Sequence, residues 1–172
     1  DYPVESVETM ARVAREIERD ETHFKPMIDM DMVSVNHEIT AQLARSAVRA
    51  STNLPVKYVV LDTKTGRTGR YLAAFRGRKT VMAVCYRLHA QRILALSYGV
   101  VPILRTQELS DKYHFLVDAL EFIDQYRKLQ DDDLMAIVGG SFGPDGGASY
   151  LELADVRGIR RRNEMIAAQN KR

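Results

Sequence analysis

The stretch Val56 to Phe75, VKYVVLDTKTGRTGRYLAAF, changes character halfway along. Val56 to Leu61 is rich in β-branched and aromatic residues, the composition of a buried strand. Arg70 to Phe75, RYLAAF, reads as a helix. Between them stand Thr63, Lys64, Thr65, Gly66, Arg67 and Thr68. A strand that turns directly into a helix leaves backbone N–H groups unpaired at the helix start, and hydroxyls, a glycine and two cations placed there suit a phosphate. Hydroxyls and glycine at a helix start are equally ordinary capping chemistry, so the stretch alone leaves both readings open. Its spacing is not that of a nucleotide P-loop, G-x-x-x-x-G-K-[ST].

Working outward, the same alternation recurs on both sides. Upstream, Asn36 is placed to cap a helix reaching about Ser51, with Ile39, Leu43, Ala47 and Ala50 on its apolar face. Downstream, the first post-turn helix is expected to end near Gly77, VMAVC (81–85) is a second buried strand, and a helix from Leu88 to Tyr98 is terminated by Gly99. Val100 to Leu104 is a third strand. A longer helix from Ser110 to about Leu129 carries Phe115, Leu116, Ala119, Leu120, Ile123 and Tyr126 on one side. Leu134 to Val138 is a fourth strand, Gly139 to Gly147 a glycine-rich loop, and SYLEL (149–153) an alternating fifth strand suited to a sheet edge. Helices alternating with continuous apolar strands predict an α/β fold with a mostly parallel sheet covered on both faces. In such folds ligands sit beyond the carboxyl ends of the strands, where both the TKTGRT turn and the GGSFGPDGG loop fall.

Residues 1–18 form a separate amphipathic helix with Val4, Val7, Met10 or Ala11, Ala14 and Ile17 at helical spacing. Residues 19–35 hold no period and read as a linker, 36–156 as the main domain, and 157–172 as a solvated basic tail. The chain opens on Asp1 and runs almost at once into a helix, which predicts a longer parent chain.

Composition removes several function classes. Lys plus Arg number 25 against 23 Asp plus Glu, a net charge of +2 that is too balanced for nucleic acid or a membrane surface to be the principal partner. Cys85 is the only cysteine, so no internal disulfide forms, and with no membrane span or signal peptide the expected setting is soluble and cytoplasmic. His23, His37, His89 and His114 have no metal-ligand spacing, and Asp131, Asp132 and Asp133 read as an acidic helix exit rather than as ligands. No G-x-S-x-G elbow occurs, Cys85 lies inside a buried strand, and the glycine run does not fit G-x-G-x-x-G.

The order of elements, together with YPVESVETMARV, TKTGRT followed by RYLAAFR, and YGVVPIL, resembles the C-terminal domain of pyruvate kinase across residues 1 to 156. The resemblance implies a three-layer α/β/α fold with a five-stranded sheet, mostly parallel with an antiparallel edge strand. It makes residues 1–18 similar to the last helix of that enzyme's catalytic barrel. It also implies that the phosphoenolpyruvate, Mg2+, K+ and nucleotide sites belong to an upstream barrel, so that this chain alone has no catalytic residues and is inactive. The family's C-terminal domain binds a phosphorylated effector and forms a subunit interface of a tetramer. By resemblance the effector is held by Thr63, Lys64, Thr65, Gly66, Arg67 and Thr68, with Lys112, His114, Ser141, Gly143 and Gly147 around it. The sequence departs from the fructose bisphosphate pattern, with Asp111-Lys112-Tyr113-His114 in the long helix and Asp145 in the loop where a cation would help. A hexose or pentose monophosphate, or AMP, is therefore as well matched as a bisphosphate. Two alternatives stay open: a purely structural assembly module, and a free-standing phosphometabolite-binding protein of the same fold.

Overall fold

The computed structural model describes residues 2–19, 38–105, 114–140 and 147–169. Along the chain these form α1 (Pro3–Arg19), α2 (Glu38–Asn53), β1 (Val56–Thr63), α3 (Arg67–Ala74), β2 (Val81–Cys85), α4 (Leu88–Leu94), β3 (Val100–Leu104), α5 (His114–Tyr126), β4 (Leu134–Gly139), β5 (Tyr150–Asp155) and α6 (Val156–Gln169). The five strands make one sheet in the order β3-β2-β1-β4-β5. β1 runs parallel to β2 and β4, β2 parallel to β3, and β4 antiparallel to β5. The expected mostly parallel sheet with an antiparallel edge strand is what forms.

The central strands β1, β2 and β4 are buried on both faces because neither of their faces is a polar one, whereas the alternating edge strand β5 has no buried residue. In β1 every residue except Lys57 is buried, and in β2 all are. With a side-chain period of two, Val59 and Leu61 point one way and Tyr58 and Val60 the other. The first pair joins Ala44 and Ala47 of α2, Leu72 of α3, and Ala90 and Leu94 of α4. The second joins Phe115, Leu116 and Ile123 of α5 and Ile159 of α6. Two apolar layers flank one sheet, the three-layer arrangement.

Several element ends differ from the sequence expectation, each for a local reason. α3 stops at Ala74, short of Gly77, because the N–H groups of Phe75 and Arg76 close the last turn on Tyr71 and Ala73 and Arg76 then adopts the left-handed φ of 54°. The Arg76 guanidinium lies over the Tyr98 ring, 4.4 Å from its centre. α4 stops at Leu94, and Leu96 and Ser97 continue it with tighter bonds to Ile93 and Leu94 before Gly99 turns the chain into β3. α5 ends at Tyr126 rather than Leu129, whose N–H instead donates to Asp124 Oδ1 at 3.0 Å. The expected starts at Asn36 and Ser110, and most of the linker 19–35, lie outside the described residues.

The largest correction is at the C-terminal end. In place of a solvated basic tail, Val156 to Gln169 is helix α6, with Val156 and Ile159 fully buried against the α5 side of the sheet. Its cations answer acids of the body: Arg160 pairs with Asp124 and Asp131, Arg157 approaches Asp131, and Arg162 pairs with Glu152 of β5. Asp133, the last of the acidic run, holds Lys57 Nζ with both carboxylate oxygens at 2.8 Å.

Candidate functional site

β1 is the middle strand, and the connections reverse direction beside it. From β1 the chain moves outward to β2 and β3, then returns across the other face to place β4 on the opposite side of β1. Such a reversal opens a crevice at the carboxyl ends of the two adjoining strands. The segments that leave β1 and β4 there are the TKTGRT turn and the glycine-rich loop.

The turn is braced from within. Thr63 Oγ1 accepts the Gly66 N–H at 2.9 Å, and Thr65 Oγ1 accepts the Arg67 N–H at 3.4 Å. Gly66 sits at φ 80°, ψ 0°, a left-handed conformation open to glycine and costly to residues with a Cβ. It is also the N-cap of α3, and no side chain caps that helix. Beyond the Arg67 amide, which Thr65 engages, the helix start therefore keeps donors available, carrying the partial positive charge of the helix end. Lys64 and Arg67 are half-buried and Thr65 is exposed, whereas Thr63 and Thr68 are each only 1% exposed. Thr65 and the two cations form the accessible rim, and Thr63 and Thr68 hold the turn from beneath.

The loop after β4 meets this turn at its far end. Gly147 lies so close to Thr40 that a Cβ there would overlap Thr40 Oγ1, and that Cβ would sit 4.0 Å from Arg67 Nη1. Thr40, a buried polar side chain 5% exposed, belongs to the first turn of α2. Sequence reading passed over it. The available signal was topological: a helix that feeds the amino end of β1 must itself begin near the carboxyl ends, so a hydroxyl in its first turn falls beside the crevice. His114 is exposed at the start of α5, and no hydrogen bond or ion pair joins it to the turn among the described residues. Lys112, Ser141 and Gly143, with Tyr113 and Asp145, lie outside the described residues. The structure thus brings together Thr63 to Thr68 and Gly147, and adds Thr40.

Cys85 ends β2 directly beside Thr63. Its thiol is buried, donates to the Ala83 carbonyl at 3.4 Å, and is pushed up to about 12 by desolvation, so it has no thiolate to offer as a nucleophile near neutral pH. Among the described residues no three His, Cys, Asp or Glu side chains gather as metal ligands. No described helix is long and apolar enough to cross a membrane.

Comparison with known proteins agrees with this architecture. The family pattern described as pyruvate kinase, alpha/beta domain, matches residues 41–154. Pyruvate kinases from Borreliella burgdorferi and Methylorubrum extorquens are 26% and 29% identical to the chain, over 90% and 91% of it and 32% of their own length in each case. The pyruvate kinase of Thermococcus litoralis is 26% identical over 90% of the chain. The chain thus spans about a third of these relatives. The crystal structure of a pyruvate kinase from Cryptosporidium parvum superposes with a TM-score of 0.59 at 19% identity, covering 69% of this chain and 23% of that one, a likeness of fold. With the family pattern running from α2 through β5, the chain belongs to the pyruvate kinase family and carries its C-terminal α/β domain.

Proposed function

We propose that this chain is the regulatory and assembly part of a cytoplasmic pyruvate kinase, and that its TKTGRT turn receives the phosphate of a phosphorylated effector. In this reading, phosphoryl transfer from phosphoenolpyruvate to ADP, with its Mg2+ and K+, belongs to a barrel outside the chain. The chain contributes effector binding and a homo-oligomeric contact, tetrameric in the parent.

The observation that carries the reading is the start of α3. An ordinary N-cap hydroxyl would reach the second or third amide of the helix, yet the N-cap is Gly66, which has no side chain, and the Thr65 hydroxyl takes only the first, that of Arg67. Thr63 is used one step earlier, on the Gly66 amide itself. The α3 start, flanked by Lys64 and Arg67 at a reversal of strand order, is therefore better suited to an anion than to closing a turn. Gly147, pressed on Thr40 near Arg67, supports a role for the glycine-rich loop as the opposite wall. An effector would act by binding one quaternary arrangement better than another, with a coupling of about 1 to 3 kcal/mol.

Calorimetric titration with ribose 5-phosphate, glucose 6-phosphate, AMP and fructose 1,6-bisphosphate tests this. At least one monophosphate should bind at micromolar to millimolar concentration, and Lys64→Ala with Thr65→Ala should weaken it about tenfold or more, the scale of a lost charge-assisted hydrogen bond. If none of the four binds at millimolar concentration, or if the double variant binds as well as the parent, the effector reading falls and an assembly role alone is left.

A further inference from the structure

A cavity of about 350 Å³ opens at the other end of the sheet, between the last turn of α5 and the amino ends of β1 and β2. That volume is within the range of small-molecule sites, roughly 300 to 1,000 Å³. Its floor is rigid: Tyr58, Met82 and Ile123 are 7%, 3% and 3% exposed and belong to the core on the α5 side of the sheet. One wall is the Phe122–Tyr126 pair, with ring centres 5.1 Å apart and planes at 51°, a tilted packing that fixes both rings. Tyr126 is 73% exposed, an unusual position for a large aromatic ring and one that leaves its face open to a ligand.

Besides the Tyr58 and Tyr126 phenols, the polar side chains of the lining are Arg127 and Thr80. Arg127 enters no ion pair among the described residues, in contrast to Arg160 and Arg162 of α6. Being a full cation just beyond the end of α5, it outweighs the roughly half-unit negative charge of that helix end. No described lining residue is acidic, so nothing there would hold an ammonium group. We propose that this cavity is a second small-molecule site, taking a planar aromatic or alicyclic carboxylate that carries no cationic group. The ring system stacks between the Phe122–Tyr126 wall and the Met82 thioether, and the carboxylate accepts from the Arg127 guanidinium and the Thr80 hydroxyl. The site is independent of the TKTGRT turn, which lies at the carboxyl ends of the same strands.

The 172-residue chain has no tryptophan, so the fluorescence of 2-naphthoate, excited to the red of tyrosine absorption, can be followed without tryptophan background. 2-Naphthoate should bind saturably with a high-micromolar to low-millimolar constant, and 2-naphthamide, of the same shape without the charge, more weakly. Arg127→Met, which keeps the apolar stem, should weaken the naphthoate about tenfold, the scale of one charge-assisted hydrogen bond. Tyr126→Ala, at an exposed position where folding is not at risk, should weaken both probes. Ribose 5-phosphate and AMP should displace neither. Absence of saturable naphthoate binding at millimolar concentration overturns the proposal. So does equal affinity for the carboxylate and the amide, an unchanged constant in Arg127→Met, or displacement by the phosphate compounds.

Discussion

Gly66 shows how far a single residue determines the site. Its φ of 80° lets Thr63 Oγ1 reach the Gly66 amide and lets α3 start with no side-chain cap. Gly66→Ala is expected to destabilise the fold by about 1 kcal/mol, the cost of a left-handed alanine, read as a shift in the urea midpoint. It should also weaken any phosphate ligand, because relaxing φ swings the helix-start amides away. A midpoint unchanged from the parent would mean that the turn tolerates a Cβ and is not strained. Cys85 gives a second test at this scale. With its thiol near 12, roughly one part in ten thousand is thiolate at pH 8, so Ellman's reagent should leave the native protein unlabelled and react only as urea unfolds it. Prompt labelling of the folded chain would contradict the burial. The six residues of the turn were legible in the sequence because their chemistry is contiguous: hydroxyls, cations and a glycine between a strand and a helix. Thr40 was not legible. Its place beside Gly147 and Arg67 comes from the packing of α2 on the sheet, and no local pattern in EITAQ separates it from an ordinary helical threonine.

Among the elements, strands were easier to read than helix ends. VMAVC and VVPIL are too short and too apolar to be anything but buried strands in this alternation, and both occur as β2 and β3 at the expected residues. The ends of α3 and α4 depend on a left-handed arginine stacked on Tyr98 and on tightened last-turn bonds, tertiary details with no sequence signature. α6 was not legible for a different reason: its arginines cluster at its start, and two of the acids that pair with them, Asp124 and Asp131, come from the end of α5 and the turn after it. What makes it part of the fold is Ile159, fully buried between α5 and the sheet. Ile159→Ala should therefore cost about 2 to 4 kcal/mol in chemical denaturation, a value no solvated tail could produce. The Lys57–Asp133 pair adds a pH dependence. Partial burial raises the Asp133 carboxyl, but the Lys57 hydrogen bonds, the Gln130 amide and the Lys57 charge together hold it below its usual value of 3.8. A carboxyl lowered on folding stabilises fully above its unfolded pKa, and the effect disappears as pH falls through the folded one. Asp133→Asn should thus lose about 1 kcal/mol at pH 7 and approach the parent's stability only once the pH has fallen through the folded value, below 3.8. A deficit that stayed constant down to pH 2 would show that shape and not charge is what Asp133 supplies.

At the scale of the whole molecule, α1 is the described helix that buries no residue. Val4, Val7, Met10 and Ile17 are 64%, 65%, 71% and 49% exposed, and the helix has no buried residue, although its apolar side chains share one stripe. The remaining helices each commit an apolar face to the sheet, so α1 is the one described element whose amphipathic pattern goes unused within the chain. Its stability must then come from propensity alone, and an isolated helix of 17 residues is marginal in water. Deleting residues 1–19 is accordingly expected to leave the urea midpoint of the remainder unchanged to within about 0.5 kcal/mol, the scale of a surface change. Amide exchange should show no protection in α1, while β1, β2 and β4 resist exchange up to global unfolding. Tyr98 supplies an independent readout. Its phenol is raised by burial first and by the charge of Glu18 second, against the lowering effect of Arg76, so removing α1 should move the tyrosine titration downward even though the fold is intact. A large loss of stability on deletion, or slow exchange in α1, would mean that the stripe is covered by another copy of the chain, and the effect would then grow with protein concentration in sedimentation.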